Sequence, residues 1–221
     1  KRSVGDELEI LRDKYKVTAF GFVDPIFNIP IGHDEVICRE MIRRKLGLQW
    51  TAWFNERHLT DNLLALIKQA GCIRMEFSSD SVSDATLKKL RKNITAQDLK
   101  NSYQLAKKYD IDVTYNFMLN GPGETLLSQL QLAVFVLKAK PALRGRLKLP
   151  GLFMVITRIY PHTELRQLAI QKRLISEGND LLAPVFYNPV PLKYVANSMI
   201  FFLKTLWRIK HTAEKLLLPA R

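Results

Sequence analysis

Residues 111–125 read IDVTYNFMLNGPGET and carry the pattern that decides the fold. Residues 111–119 form an apolar run of strand length, and a helical pattern begins near residue 124. Glycines in the loop let the backbone approach a ligand and leave N–H groups free at the helix start, where a polar or anionic ligand is favoured. The Lys-Ser or Lys-Thr ending of a P-loop is absent from this string. The stretch therefore predicts a strand, a ligand-facing loop and a helix.

The same order of strand and helix recurs along the chain. Successive predicted strands start 24 to 40 residues apart, which leaves room for the crossover that parallel strands need. The repetition predicts an α/β protein with a parallel sheet, either doubly wound or closed into a barrel. Helix N-caps are expected at Asp34, Thr60 and Thr95. Strands are predicted at 17–23, 48–54, 72–77, 111–119 and 151–158, and helices at 3–15, 34–46, 61–70, 83–91, 96–109, 124–138 and 163–173.

The two ends of the chain differ from this repeat. The first predicted element is a helix, which in a βα series indicates an initial strand ahead of Lys1. Residues 1–175 hold the βα units, with a basic loop at 139–150, and 176–191 reads as an irregular linker. An amphipathic helix is predicted over 192–209. Its apolar core is too short to span a bilayer, so we expect either peripheral contact of 192–210 with an anionic membrane or packing against the βα units or a further domain.

Composition and charge narrow the function classes. The 221 residues are 47% hydrophobic and 25% charged, which excludes a disordered chain. Two cysteines, Cys38 and Cys72, exclude a disulfide scaffold and a three-cysteine cluster held by this chain alone. No long uncharged apolar run is present, and we expect a cytoplasmic location. The net charge of +13 lies almost wholly in residues 138–221, so nucleic-acid binding through this basic third is an alternative function.

Polar side chains follow every predicted strand, at the end where parallel α/β folds place their chemistry. Some have a simpler structural alternative: Asp24 as a turn residue before Pro25, Asp80 with Ser81 as a helix cap, and Arg57 as the partner of Glu56 in a surface ion pair. Taken together they favour one shared pocket. The residues are Asp24 after the first predicted strand, Asn55, Glu56 and Arg57 after the second, Ser78, Ser79, Asp80 and Ser81 after the third, Asn120 and Gly121 after the fourth, and Arg158 and Tyr160 after the fifth.

Six strings in one order resemble the radical S-adenosylmethionine enzymes, over residues 3 to about 190. The string LLAPVFY at 181–187 adds a resemblance to the subgroup with an upstream cobalamin-binding domain. The six strings are VDPIFN at 23–28, AGC at 70–72, FSSDS at 77–81, KNIT at 92–95, GPGET at 121–125 and IYPHTEL at 159–165.

The resemblance implies a partial (β/α)6 barrel of TIM type, with its first strand missing here and a C-terminal helical tail. In this family a C-x3-C-x2-C motif after the first strand holds a [4Fe-4S] cluster that binds S-adenosylmethionine, and one-electron reduction then yields a 5′-deoxyadenosyl radical. Those cysteines would lie upstream of Lys1, so this chain alone would be inactive. The subgroup also implies cobalamin on an upstream domain, an electron donor, and methylation or another modification of an unknown small-molecule or lipid substrate.

The resemblance further implies roles for individual residues, with no metal ligand among them. Asp24 would lie near the methionine amino group, and Arg57 would face the methionine carboxylate or the substrate. Asp80 and Ser81 would lie near the ribose, because a diol is recognised by short polar acceptors. The adenosine side would be lined by Asn120, Gly121, Gly123 and Glu124, with Ile159 and Tyr160 beside adenine.

Some family glycines are replaced in this sequence. A side chain at such a position projects where close backbone approach is needed, although asparagine tolerates the left-handed backbone conformation that glycine adopts there. We therefore expect a divergent substrate pocket or weakened cofactor binding. The replacements are Ser78, Val82, Asn93, Asn120 and His162.

Overall fold

Five parallel strands form one sheet in the computed structural model, which describes residues 3–142 and 152–201 together with 205 and 208. The strands pair in chain order, so each crossover leads to the neighbouring strand. The predicted α/β class and parallel sheet are confirmed. The strands are β1 (Ala19–Gly21), β2 (Gln49–Phe54), β3 (Cys72–Asp80), β4 (Asp112–Met118) and β5 (Leu152–Val155).

Helices alternate with the strands, and a short 3-10 helix (Glu56–His58) follows β2. The helices are α1 (Val4–Asp13), α2 (His33–Arg43), α3 (Asp61–Gln69), α4 (Asp84–Lys89), α5 (Ala96–Tyr109), α6 (Leu126–Ala142), α7 (Glu164–Gln171) and α8 (192–201).

Local signals set several of these boundaries. Thr60 caps α3 and Thr95 caps α5, as predicted, each accepting a backbone N–H bond on its hydroxyl. The prediction for Asp34 is wrong, because α2 begins one residue earlier and its N-cap is Gly32 in a left-handed conformation. At Gly71 (φ +101°) only glycine fits, since an added Cβ would lie 2.1 Å from the carbonyl oxygen of Leu48.

The two faces of the sheet differ in chemistry. One face packs against α2, α3 and α5 in a single apolar core that includes Trp50, Phe77 and Tyr115, each fully buried. Strand residues alternate between the faces, so their neighbours point the other way. This opposite side, which we call the inner face, is polar. It carries Thr51, Trp53, Arg74, Glu76, Thr114 and Asn116.

Several predicted boundaries move. The first strand shrinks from 17–23 to Ala19–Gly21, and the fifth from 151–158 to Leu152–Val155. Residues after β5 instead pair antiparallel with the linker, where Arg158 bridges Phe186. Helix α6 runs on to Ala142 into the predicted basic loop; the rest of that loop, 143–150, lies outside the described residues. Most residues of the predicted helix 192–209 that follow residue 201 also lie outside the described residues.

Candidate functional site

The polar residues at the strand ends gather along the carboxyl edge of the sheet. Glu124, in the loop after β4, accepts the most side-chain hydrogen bonds among them. Its carboxylate accepts hydrogen bonds from the hydroxyls of Ser81 (2.7 Å) and Ser128 (2.6 Å) and from Nε2 of Gln129 (2.5 Å). Ser81 follows β3, so the bond to Glu124 joins two neighbouring strand ends. Ser81 also accepts the N–H of Ser83.

Asp80, at the end of β3, is held by a lysine. Its Oδ2 lies 2.6 Å from Nζ of Lys92, which also donates to the carbonyl oxygen of Ser78 at 3.0 Å. Asp80 is 6% exposed and has a left-handed backbone (φ +63°). A buried carboxylate needs such a partner to stay ionised. Asp80 therefore does not cap α4, whose N-cap is Ser83.

Glu56 lies beside this pair and is the most buried acid of the site, at 4% exposure. Burial raises the pKa of Glu56 to about 6, although the hydroxyl of Ser79, 2.5 Å away, donates to the carboxylate and works against this rise. The surface ion pair between Arg57 and Glu56 that the sequence allowed is not formed. A carboxyl group with this pKa exchanges its proton near neutral pH, so it is a candidate acid or base.

A small cavity of about 130 Å³ opens beside Glu56. Asn55, Lys92 and Asn93 supply polar groups to its wall, and Trp53 lines it too. The loop after β2 is fixed around this cavity, because Asn28 and Asn55 exchange two buried hydrogen bonds of 2.8 and 2.9 Å. Sequence reasoning assigned no role to Asn28, Ser79 or Lys92. The polar run after the predicted strand 72–77 includes Ser79, whereas the position of Lys92 depends on the turn of the chain after α4.

A larger cavity of about 870 Å³ opens at the ends of β4 and β5. The loop 120–125 forms one wall, and α7 and the linker form the others. Four of the predicted adenosine contacts line this cavity, namely Asn120, Gly121, Gly123 and Glu124. Its other lining groups are mixed, with Met118, Leu168 and Tyr187 beside Lys89 and Lys172.

Asn120 fastens the linker across this cavity. Its Nδ2 donates to Oδ1 of Asn188 at 2.6 Å and to the carbonyl oxygen of Pro189 at 2.8 Å. Asn120 (φ +55°) and His162 (φ +58°), two of the predicted glycine replacements, both have left-handed backbones. Val82, in contrast, is buried in the main core.

The remaining predicted site residues lie apart from the large cavity. Asp24 is exposed after β1, next to Pro25, which lines the small cavity. Arg57 is exposed and donates to the carbonyl oxygen of Asn93 at 3.4 Å. Ile159 is buried in a second apolar cluster, and Tyr160 is 54% exposed under the guanidinium of Arg158.

Neither cysteine is placed to hold a cluster. Cys38 in α2 and Cys72 in β3 are both fully buried, and burial raises the pKa of Cys38 to about 12 and raises that of Cys72 further. Across residues 3–142 and 152–201 no group of three or more potential metal ligands comes together.

Helix α8 packs against the main core through Ala196, Met199 and Ile200, while Tyr194 and Phe201 remain exposed. None of the helices in the described part of the chain is long and apolar enough to cross a membrane. Peripheral membrane contact and nucleic-acid binding both stay predictions.

Comparison with known proteins identifies a family whose sequences resemble this chain. The sequence profile of the Radical SAM superfamily matches residues 1–133. An uncharacterized methyltransferase of Pyrococcus horikoshii is 25% identical over 79% of the chain. The anaerobic magnesium-protoporphyrin IX monomethyl ester cyclase of Rubrivivax gelatinosus is 29% identical over 56% of it. The chain spans only 36% and 23% of these two relatives.

Solved structures show the same fold. The cobalamin-dependent S-adenosylmethionine radical enzyme OxsB matches 99% of the chain with a TM-score of 0.66 at 14% identity. The match covers 39% of OxsB, in a structure with aqua-cobalamin and S-adenosylmethionine bound. The radical S-adenosylmethionine methyltransferase TsrM of Kitasatospora setae, with cobalamin and a [4Fe-4S] cluster bound, matches 75% of the chain and 31% of its own at TM-score 0.61 and 19% identity. The five-stranded sheet is thus a partial TIM-like barrel.

Proposed function

Because this chain belongs to the Radical SAM superfamily, we propose that it forms the S-adenosylmethionine-binding barrel of an enzyme that methylates or otherwise modifies a substrate with the help of cobalamin. The observation that carries this proposal is the large cavity at the ends of β4 and β5, walled by the loop 120–125. Strand ends are where such barrels bind their ligands.

The residues around this edge suit the parts of S-adenosylmethionine. The ribose diol would meet Asp80 and Ser81, whose oxygens stand at the end of β3. The adenine ring would enter the cavity between Gly121 and Thr157. The exposed carboxylate of Asp24 is a partner of the right charge for the methionine ammonium, and the exposed Arg57 for its carboxylate or for the substrate. Ile159 and Tyr160 would support the adenine side from outside the cavity wall.

The iron–sulfur cluster does not fit the cysteines of this chain. When bound, a reduced [4Fe-4S] cluster supplies the electron that cleaves S-adenosylmethionine. Cys38 and Cys72 are buried thiols with raised pKa values, so neither is a ready ligand. We propose that the cluster ligands, the cobalamin domain and the contact for an electron donor lie outside these 221 residues, as the partial coverage of the relatives allows. Iron and cobalamin analysis of the protein made from the complete reading frame tests this.

Calorimetric titration of the 221-residue chain with 5′-deoxyadenosine tests the binding site without needing the cluster. We expect saturable binding that Asp80→Asn weakens by about tenfold, since one charged acceptor is lost. Glu7→Gln, a change of the same kind at an exposed position of α1, should leave the affinity unchanged. Absence of saturable binding, or equal affinities for Asp80→Asn and the unchanged chain, would contradict the proposal.

A further inference from the structure

The inner face of the sheet carries an acid that its surroundings do not neutralise. Glu76 lies between Met75 and Phe77, which are both fully buried on the helix side, so its side chain points to the inner face. Within the described ranges its carboxylate has no hydrogen bond and no ion pair. The side chain is only partly exposed. A partly buried carboxylate without a partner is costly, and a cation of a bound ligand would remove that cost.

Two cations of the described residues, Arg74 and Lys92, are directed elsewhere. Arg74 stands two residues earlier on the same face, but its Nη2 lies 3.9 Å from Oδ2 of Asp112 on β4. Lys92, beyond the end of β3, is held by Asp80 and the carbonyl oxygen of Ser78. Neither group is positioned to neutralise Glu76.

An aromatic ring stands beside this acid. Trp53 on β2, Glu76 on β3 and Thr114 on β4 are register partners, so they form one row across the inner face. Neighbouring strands lie about 4.8 Å apart, which brings the indole of Trp53 next to the carboxylate. A carboxylate beside an aromatic face recognises an organic cation, through charge and through the ring's negative face. Guanidinium groups suit both contacts.

This row also opens toward the strand ends. Trp53 lines the small cavity together with Asn55 and Ser78, which belong to the same edge as Asp80. A ligand held at Trp53 and Glu76 would therefore reach up to the edge where S-adenosylmethionine is proposed to bind. Polar neighbours on the inner face, Thr114 and Asn116, offer further hydrogen bonds to such a ligand.

We propose that Trp53 and Glu76 bind a positively charged group, an ammonium or a guanidinium, of the substrate that this barrel acts on. The substrate is then a polar organic cation and not a lipid. That this cation is the substrate of the enzyme rests on the function proposed above. The cation site itself is inferred from the geometry of the inner face alone.

Two matched probes test the site. N-acetyl-argininamide carries a guanidinium, and N-acetyl-citrullinamide has nearly the same shape with a neutral ureido group. In calorimetric titrations of the 221-residue chain, we expect the arginine compound to bind about tenfold more tightly. Glu76→Gln should abolish this preference, and Trp53→Leu should reduce it. Glu7→Gln should keep it in full, because that charge lies on the exposed side of α1.

Equal binding of the two compounds by the unchanged chain would overturn the proposal, and so would a preference that survives Glu76→Gln. Circular dichroism of each variant shows whether it is folded, and the two substitutions remove the site from different strands. Titration of the same samples with 5′-deoxyadenosine separates the two proposals. Loss of cation preference with normal nucleoside binding supports the cation site, whereas a cation preference without any nucleoside binding would contradict the proposed function alone.

Discussion

Two carboxylates at the carboxyl edge of the sheet, Glu124 after β4 and Glu56 after β2, are held in opposite ways. Glu124 accepts hydrogen bonds from three side chains, those of Ser81, Ser128 and Gln129. Glu56 is more deeply buried and accepts from one side-chain hydroxyl, that of Ser79. The carboxylate of Glu124 is thus solvated by the protein, while the pKa of Glu56 is raised to about 6 by burial.

The difference separates an acid fixed by its hydrogen bonds from a candidate general acid or base. Three donors fix the position of the Glu124 carboxylate, and the bond to Ser81 holds the end of β3 against the loop after β4. Glu56 has few donors and a cavity beside it, so its proton can be exchanged with a ligand. The same residue type therefore lines one cavity as a hydrogen-bonded carboxylate and the other as a buried group with a raised pKa.

The largest expected effect on stability comes from replacing Glu124. Glu124→Ala removes the acceptor that three side chains share, although the hydroxyl of Ser128 keeps the carbonyl oxygen of Thr125, and should lower the free energy of unfolding by about 3 kcal/mol. Urea denaturation monitored by circular dichroism measures this loss. Glu177→Ala, in the exposed part of the linker, is the matched control and should change stability by less than about 0.5 kcal/mol. Equal losses in the two variants would erase the distinction between Glu124 and an ordinary surface acid.

Replacing Glu56 should change the free energy of unfolding in the opposite direction. Because the pKa of Glu56 is raised from 4.5 to about 6, its contribution to stability is complete below pH 4.5 and is lost as the pH rises through 6. Glu56→Gln should therefore stabilise the protein by about 2 kcal/mol at pH 8 and have little effect at pH 4. Denaturation series at both values check this. A variant that is less stable than the unchanged chain at pH 8 would show that ionised Glu56 is well solvated.

A smaller effect on stability is expected from removing the hydroxyl of Ser79, which donates to Glu56. Ser79→Ala removes the hydrogen bond that lowers the pKa of Glu56, so that pKa should rise further, and stability at neutral pH should fall by about 1 kcal/mol. Carbon-13 NMR of the glutamate carboxyl groups follows the titration directly. Ser176→Ala, at an exposed position, serves as the control. An unchanged titration of Glu56 in Ser79→Ala would mean that the hydroxyl does not contribute.

The sequence predicted the frame of the site better than its chemistry. Strand periodicity and the helix caps at Thr60 and Thr95 predicted the order of the βα units, because those signals are local. Local signals also brought Asp80 and Ser81 to the right strand end.

The burial of Glu56 and the pairing of Lys92 with Asp80 could not be predicted from local sequence signals. Whether a glutamate after a strand is buried depends on the loops that fold over it, here the loop after β1 with Asn28. The pairing of Asp80 with Lys92 depends on the length of α4 and the turn after it. The polar inner face around Glu76 could not be predicted for another reason. Polar and apolar residues alternate along β3, and this alternation is also the pattern of a strand with one solvent-exposed face.

One measurement tests most directly whether the large cavity is the nucleoside site of this barrel. Met118 lines the cavity, whereas Met41 and Met75 are buried away from it in the main core. In a chain with carbon-13 methionine methyl groups, 5′-deoxyadenosine should shift the Met118 resonance in a saturable way and leave those of Met41 and Met75 unchanged. A Met118 resonance that stays fixed at high nucleoside concentration, or a shift confined to other methionines, would contradict the account.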